Sequence, residues 1–583
     1  MLAKASFSID YLRRLLRFSL REHPVMLANL TLAFVSVLLE LAAVAVLMPL
    51  SILATGVQVQ PDSKWTQLFD AVGIELTFSS VLLCLLVVFA LRLITQFLNQ
   101  ATSIFLGKRV QADLSARAFE RLVKDMSLRE FDARSAGHFI SLAGDETARA
   151  GAIVIAFNQL LAATLLTAVY LAAMFYFSRY LGFGVVIFSV IALVSLRGTL
   201  RRSQFLSARQ LEEAKIAHSV FLDSLNGLRS VRALSAESFV TSTYEQIIRQ
   251  YTTTHFLIDT LGFAARLIPA LILLVCILFV TSAGRLSIAS PSELAVVVTA
   301  LALLMRFFPG AGQILSLLMR LLADVRAASD VTHLLDPDPA TQRVSDHRTI
   351  ERGVQTLELR HISFSYKPFK PVLRNFSATL RRGRSYALVG PSGSGKTTVF
   401  DLLLGFYSPD SGEVLVNDVS VQELDNRKLR SVVILVGQQV TILNDTIANN
   451  IRFGSGARHT DVKAACVAAC IDEYIETLPQ GYETVLSFQG SNLSGGQRQR
   501  IAIARGLLRN PNALLLDETT TGLDAETRDQ VIRNILGLYR DRIVVFATHD
   551  KDLVACVDEV ISLPQYADPL SAQDGVKDRT LTQ

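Results

Sequence analysis

Six long apolar runs, separated by polar stretches, occupy roughly the first 325 residues of the chain, at about 25–54, 78–106, 150–177, 181–200, 256–283 and 294–323. A membrane-spanning helix needs about 20 mostly apolar residues. Each run therefore reads as a span. A fully buried soluble helix would account for any one of them, but not for six in series. Ahead of the first run, "IDYLRRLLRFSLREH" predicts an amphipathic helix lying on a membrane surface. Between runs two and three, and again between four and five, the polar segments keep a helical, amphipathic pattern, as in "RVQADLSARAFERLVKDM". The helices are thus expected to continue past the membrane. Near residue 354 the pattern changes to short apolar strands, "SYALVG" and "ALLLD", and apolar helices such as "TTVFDLLLGF". The polar, proline-bearing "LLDPDPATQRVSDHRTIERG" reads as a linker. The domains expected are 1–330, a linker at 331–353, a second domain at 354–570 and a polar tail at 571–583.

Composition agrees with a membrane protein. The chain has 583 residues, half of them hydrophobic, and a mean hydropathy of +0.37, too long for one ordinary domain and too apolar for a soluble one. Charge sets the orientation. Arg13, Arg14, Arg17 and Arg21 precede the first run. Lys108, Arg109, Arg117, Arg121, Lys124, Arg129 and Arg134 follow the second, and Arg201, Arg202, Arg209, Lys215, Arg229 and Arg232 follow the fourth. The loop between runs one and two carries only Lys64 against Asp62, Asp70 and Glu75. Basic segments face the cytoplasm, so both termini and the second domain are expected there, most simply at a bacterial inner membrane. The first run is too long for a cleavable signal peptide, and more spans follow. Cys84, Cys276, Cys466, Cys470 and Cys556 read as packing residues, because "CVAAC" has no further thiol or histidine pair to complete a zinc set. Six spans exclude a soluble DNA-acting protein, and no nucleic acid partner is expected.

The chemistry lies in the second domain. "GPSGSGKT", Gly390 to Thr397, fits G-x-x-x-x-G-K-[ST] between a strand and an apolar helix. Gly390, Ser392, Gly393 and Gly395 belong to a loop whose backbone N–H groups can turn toward phosphate oxygens at a helix N-terminus. Lys396 can reach the β- and γ-phosphates, Thr397 can ligate Mg²⁺, and Thr398 follows in the same turn. Downstream, "ALLLD" delivers Asp517 and Glu518 to a strand's carboxyl end, where open α/β sheets bind ligands. Asp517 suits the metal and Glu518 a general base for water.

"LSGGQRQR", with Ser494, Gly495, Gly496 and Gln497, resembles the signature of the ATP-binding cassette (ABC) ATPases. Other family marks follow in order: Tyr366 in "ISFSY", Gln438 in "LVGQQ", Asp524 in "TGLD" and His549 in "FATHD". The resemblance implies that Tyr366 stacks on adenine, that Gln438 is the glutamine-loop residue with a catalytic and metal-binding role, and that His549 is the catalytic switch histidine. It implies two cassettes facing head to tail, with Ser494 and Gly496 of one chain meeting the nucleotide on Lys396 of the other. Six spans followed by one cassette match a type IV exporter half-transporter. The expected fold is therefore an α-helical six-span transmembrane domain plus a cytosolic α/β P-loop ATP-binding cassette. The expected ligands are ATP and Mg²⁺, and the expected partners a second copy of itself, or a related chain, and the lipid bilayer. "SLREFDARSAGHF" and "SVFLDSLNGLRSVRAL" occupy the places of the family's coupling helices. One departure stands out: Phe488 lies in "LSFQGSN", where exporters commonly carry a glutamate. Coupled leader-peptide cleavage by a preceding peptidase domain is not expected.

Glu40, Arg92, Arg266 and Arg306 lie inside spans, where charge is costly and marks a pathway. Pro49, Pro269 and Pro309 can kink their helices and open a cavity. Three arginines against one glutamate predict a cationic cavity for an anionic amphiphile; arginine snorkelling or inter-helix pairing is the alternative. The segment "LLELAAVAVLMPL" is similar to the first span of lipid-linked oligosaccharide flippases. An ATP-driven exporter or flippase is thus expected, with peptide or hydrophobic drug export as the alternative, and a regulator or ATP-gated channel as the non-transport reading.

Overall fold

The computed structural model of the chain describes residues 2–54, 75–124, 126–177, 179–195, 197–282, 291–335, 348, 350, 353–367 and 370–564. The chain divides into two compact units, Met1–Met126 with Arg134–Pro337, and Ser127–Ala133 with Asp338–Gln583. Most of the expected linker and all of the expected tail fall outside the described residues, as does the loop with Lys64, Asp62 and Asp70.

The first unit is helical. In chain order its elements are α1 (Leu2–Glu22), α2 (Val25–Ala54), α3 (Phe78–Lys124), α5 (Ala136–Ser141), α6 (Thr147–Phe177), α7 (Arg179–Ser195), α8 (Arg197–Asn226), α9 (Leu228–Ala233), α10 (Glu237–Ser282) and α11 (Pro291–Leu335); α4 (Leu128–Asp132) belongs to the second unit. The 47 residues of α3 span about 70 Å at 1.5 Å per residue. That is more than twice a hydrocarbon core of roughly 30 Å. Leu83, Leu86, Ile94 and Phe97 on its apolar half are exposed, as lipid-facing side chains are. Among the described residues, four stretches are long and apolar enough to cross a membrane: Val25–Val46, Phe78–Lys124, Ala136–Tyr176 and Ala300–Val325. The runs expected at 181–200 and 256–283 fall on α7, α8 and α10, and several of their side chains, including that of Cys276, lie outside the description.

Small and polar residues hold these helices together, because apolar contact alone has no advantage over lipid. A Cβ on Gly151 of α6 would lie 2.4 Å from the Gly107 carbonyl oxygen of α3, so only glycine permits that crossing. Asn29 on α2 donates to Ser103 Oγ at 2.8 Å and to the Asn99 carbonyl at 2.9 Å on α3. Tyr11 and Leu15 of α1 are buried in one cluster with Met26, Leu106, Val110, Leu114 and Val154. The opening helix therefore buries an apolar stripe within this unit.

The two candidate coupling segments differ. Residues 127–133 group with the second unit, where Tyr407 Oη donates to Asp132. The second candidate, including α9, stays with the helical unit, and α9 has no buried residue.

The second unit is α/β. An antiparallel sheet runs β2-β1-β4-β5 and a parallel sheet β6-β7-β8-β3-β9. Their strands are β1 (Thr356–Lys367), β2 (Lys370–Arg381), β3 (Arg384–Val389), β4 (Ser411–Val416), β5 (Val419–Ser420), β6 (Val433–Val436), β7 (Ala513–Asp517), β8 (Ile543–Ala547) and β9 (Glu559–Ser562). All five residues of β7 and of β8 are buried. Successive side chains face opposite sides, and both sides are covered. Leu514, Leu516, Val544 and Phe546 enter one core, with Ile501, Val531 and Ile535. Ala513, Leu515, Ile543 and Val545 enter the other, with Leu357, Phe364 and Phe400. This double burial is why these strands read as unbroken apolar runs.

Candidate functional site

Register brings the chemistry to one edge. Leu388 of β3 and Asp517 of β7 both pair with Ala547 of β8, so three neighbouring strands end level. The glycine-rich loop leaves β3, Glu518 leaves β7, and Thr548-His549 leaves β8. Gln438 follows β6 on the far side of β7. These are the carboxyl ends of a parallel sheet, where its ligands bind.

The loop ends on α12 (Lys396–Leu403), with Gly395 as its N-cap at φ +97° and Gly393 at φ +79°, a region that favours glycine. A Cβ at Gly390 would crowd Ser394 Oγ at 2.6 Å and the Leu563 carbonyl at 3.0 Å. Lys396 is buried, and its Nζ donates to the Gly390 carbonyl at 3.0 Å. It also lies 3.0 Å from His549 Nε2 and 3.5 Å from Glu518 Oε1. Thr397 Oγ1 donates to Asp517 Oδ2 at 2.7 Å. Burial pushes the Asp517 carboxyl above its ordinary range, with the neighbouring Glu518 charge adding; the Thr397 bond and Lys396 act in the opposite direction.

Glu518 is the centre of the site. Its Oε2 accepts from Gln438 Nε2 at 3.0 Å, and its Oε1 lies 3.0 Å from His549 Nε2. Its φ is +49°, a left-handed conformation that costs a non-glycine residue on the order of 1–3 kcal/mol. The Glu518 N–H donates to the Ala547 carbonyl at 3.0 Å, and Thr521 Oγ1 donates to the Glu518 carbonyl at 2.9 Å, holding the turn. Gln438, Lys396, Asp517, Glu518 and His549 thus converge at one place.

Tyr366 stands beside this site. Its hydroxyl lies 3.1 Å from Thr398 Oγ1 and donates to Asp401 at 3.3 Å, and its ring meets Phe364 and Tyr407 edge-on. Desolvation pushes the Tyr366 phenol up to about 12 and the Asp401 carboxyl up to about 6. The ring is half-exposed.

Ser494 and Gln497 form a reciprocal cap on α17 (Gly495–Leu508): Ser494 N–H donates to Gln497 Oε1 at 2.8 Å, and Gln497 N–H donates to Ser494 Oγ at 3.2 Å. A Cβ on Gly496 would lie 2.8 Å from the Gly522 carbonyl. Gln499 Oε1 accepts from the Gly522 N–H at 3.0 Å, fastening this helix to "TGLD". Among the described residues, no hydrogen bond joins Ser494–Gln497 to the glycine-rich loop. Phe488 is exposed. Sequence reasoning missed the contacts of Gln499, Tyr407 and Tyr170, since a lone glutamine or tyrosine carries no spacing signal.

In the helical unit the intramembrane charges separate into two places. Glu40 is fully buried and ion-paired with Arg92 Nε and with Arg306 Nη1, the latter at 2.7 Å, while Tyr170 Oη donates to it. Arg266 lies elsewhere, donating to Ser316 Oγ at 3.1 Å. The expectation of one shared arginine pathway is therefore corrected within this chain. A carboxylate buried at Glu40 needs cationic partners close by, and it draws Arg92 and Arg306 out of any common cavity with Arg266.

Cys466 is buried and its thiol is pushed up to about 12, whereas Cys556 is exposed, so packing does not describe all the cysteines. Among the described residues, no cluster of three or more histidine, cysteine or acidic side chains offers a metal cage.

A phosphate loop, a paired acidic strand end and a polarised carboxylate, in one chain with a long-helix domain, define an ATPase built to work at a membrane. Comparison with known proteins agrees. Residues 30–309 match the family ABC transporter transmembrane region, and residues 373–521 the family ABC transporter. An ATP-dependent lipid A-core flippase of Nitrosococcus oceani is 29% identical over 497 residues, 84% of this chain and 82% of the relative. A Haemophilus influenzae protein of the same name is 41% identical over 208 residues, 35% of each chain. A solved structure of a bacterial Atm1-family ABC exporter with ATP bound superposes with a TM-score of 0.74 at 24% identity, covering 95% of this chain and 98% of that one. The chain belongs to the ABC transporters. It is a half-transporter of the type IV exporter fold, an integral membrane protein that couples ATP hydrolysis to export or flipping.

Proposed function

We propose that this transporter moves an amphiphile with an anionic headgroup. One observation carries the reading: two chambers follow one another along α10 and α11. The first, about 790 Å³, sets Arg149, Gln210, His255, Arg266 and Arg320, with Asp145, Asp259 and Asp324, among apolar side chains such as Ile155 and Leu317. The second, about 400 Å³, is lined by Leu171, Val186, Val190, Pro269, Phe307, Phe308 and Ile314. Arg266 and Pro269 are about one turn apart on α10, and Ser316 and Leu315 are adjacent on α11, so a polar head and an apolar tail fit in sequence. Among the described residues no carboxylate pairs with Arg266; its Nε is given to Ser316 Oγ, and its Nη groups suit an anion. At the second site Arg92 and Arg306 outnumber Glu40 by one charge, and Arg306 is 40% exposed. Relatives named lipid A-core flippases support a lipid cargo.

The working form is a homodimer. Ser494 and Gly496 make no bond to the phosphate loop of their own chain, which suits a role on the nucleotide of a second chain. Thr397 Oγ1, the Asp517 carboxylate and the Gln438 amide are oxygen donors that fit Mg²⁺, which neutralises phosphate charge when bound. Glu518 orients the attacking water and accepts its proton. Gln438 fixes that carboxylate, Lys396 draws charge from the γ-phosphate, and His549 steadies the same phosphate. Tyr366 stacks on the adenine. The cassette and both termini face the cytoplasm of a bacterial inner membrane, a reading that the basic segments support.

The test is ATPase stimulation of the protein in nanodiscs by an anionic lipid-linked amphiphile, its detached headgroup and a neutral lipid of equal chain length. Stimulation by the first alone supports the reading; equal stimulation by a neutral peptide overturns it in favour of peptide export.

A further inference from the structure

Arg528 has no part in the phosphate chemistry above, yet it joins two loops that do. It lies in the first turn of α18 (Ala525–Leu538), directly after "TGLD". Its backbone N–H donates to the Asp524 carbonyl at 2.9 Å, while the Asp524 side chain caps the helix by accepting from Thr527 N–H at 2.9 Å. The guanidinium reaches the next loop: Nη1 lies 2.7 Å from Asp550 Oδ2, and the two side chains are only 20% and 22% exposed. Asp529 at 3.2 Å and Asp552 at 3.6 Å flank the pair. Asp550 is itself fixed. Its N–H donates to Thr548 Oγ1 at 3.0 Å, and its Oδ1 accepts from Asp552 N–H at 2.9 Å, capping α19 (Lys551–Ala555). The residue between Thr548 and Asp550 is His549, 3.0 Å from both Lys396 Nζ and Glu518 Oε1.

We propose that Arg528 is a positioning residue for ATP hydrolysis: its bridge to Asp550 holds the loop that carries His549 over Glu518 and Lys396, and ties that loop to "TGLD". The proposal rests on His549 acting at the γ-phosphate. Without the guanidinium, Asp550 loses its partner while Asp529 and Asp552 stay close by. Like charges then push the His549 loop away from its place. An exposed ion pair would matter little, but this one is largely shielded and is held at one end by a helix cap.

The test compares Arg528→Gln, Asp550→Asn, their double variant and the charge reversal Arg528→Asp with Asp550→Arg, in the full-length transporter in nanodiscs. Each single change is expected to lower kcat about tenfold, with KM for ATP within about twofold, and the double to be no worse than either single. Charge reversal is expected to regain much of the loss, and Arg528→Lys to keep most activity. An unchanged kcat in Arg528→Gln, additive losses in the double, or a rise in KM in place of a fall in kcat each overturn the bridge. So does a loss in Arg528→Lys equal to that in Arg528→Gln with a lowered melting temperature in both, the mark of a scaffold role. His549→Ala separates the two claims. If it is as active as wild type, the reading of His549 itself fails; if it is inactive while Arg528→Gln is normal, only the bridge fails.

Discussion

Replacing Glu40 by alanine removes the one carboxylate that neutralises two arginines inside the helical unit. Its side chain is 1% exposed, that of Arg92 is 14% and that of Arg306 is 40%. Breaking a buried pair costs roughly 3–5 kcal/mol, because the surviving charge stays desolvated. That figure applies to Arg92. Arg306 is wet enough for solvent to screen it, and its share is under about 1 kcal/mol. Tyr170 also loses its acceptor, worth about 1 kcal/mol. A total of about 5 kcal/mol is expected, read as a loss of stability in denaturant or thermal unfolding of the purified protein in detergent. Glu40→Gln keeps an acceptor for Tyr170 but not the charge, and should fall between. Glu40→Leu combined with Arg92→Leu removes charge and partner together and should recover most of the loss. A Glu40→Ala protein within about 0.5 kcal/mol of wild type, or a double variant worse than both singles added, would refute the reasoning.

Three further outcomes follow from the nucleotide site. Glu518→Gln should lower kcat by roughly 10²–10⁴ and retain bound ATP in closed cassettes, measured by turnover and nucleotide trapping; near-normal turnover removes Glu518 from the role of base. Chains with Lys396→Ala mixed with chains with Ser494→Arg should trap nucleotide at one intact site per mixed dimer; no trapping beyond the separate variants contradicts the shared site. Asp401, whose folded pKa is raised by burial from 3.8 to about 6, binds its proton more tightly folded than unfolded, so its contribution to stability is present below about pH 4 and lost as pH rises through about 6. Asp401→Asn should flatten the unfolding profile of the protein in that window, and an unaltered profile would show that Asp401 is not the group responsible.

Much of the nucleotide site was legible in the sequence, because phosphate chemistry fixes both residue type and spacing. A glycine-rich turn must precede Lys396 and Thr397, and an acidic pair must end a buried strand. The level strand ends that bring Gln438, Glu518 and His549 together follow from a parallel sheet, but the register itself had to be seen. Apolar periodicity located the helices of the first unit. It could not pair charges across them, because Glu40 and Arg306 are separated by 266 positions and no local pattern links them. Counting three arginines against one glutamate gave a sign for the cavity; that two of them pair with Glu40 agrees with the inter-helix pairing weighed as its alternative. The Arg528–Asp550 bridge was hidden for the same reason: surface charges are common, and only the fold shows which two meet.

Vectorial movement of an anionic amphiphile is the most direct test of the account. The transporter is reconstituted in proteoliposomes with a headgroup-labelled anionic lipid, and loss of the label to a membrane-impermeant quencher is followed on adding ATP. The account predicts ATP-dependent transfer from the cassette-facing leaflet, absent in Glu518→Gln and strongly reduced in Arg266→Ala, whose basal ATPase and melting temperature stay near normal. Label that stays in its leaflet while ATP is hydrolysed, or transfer as fast for a neutral lipid and for Arg266→Ala as for the anionic lipid in wild type, would contradict it.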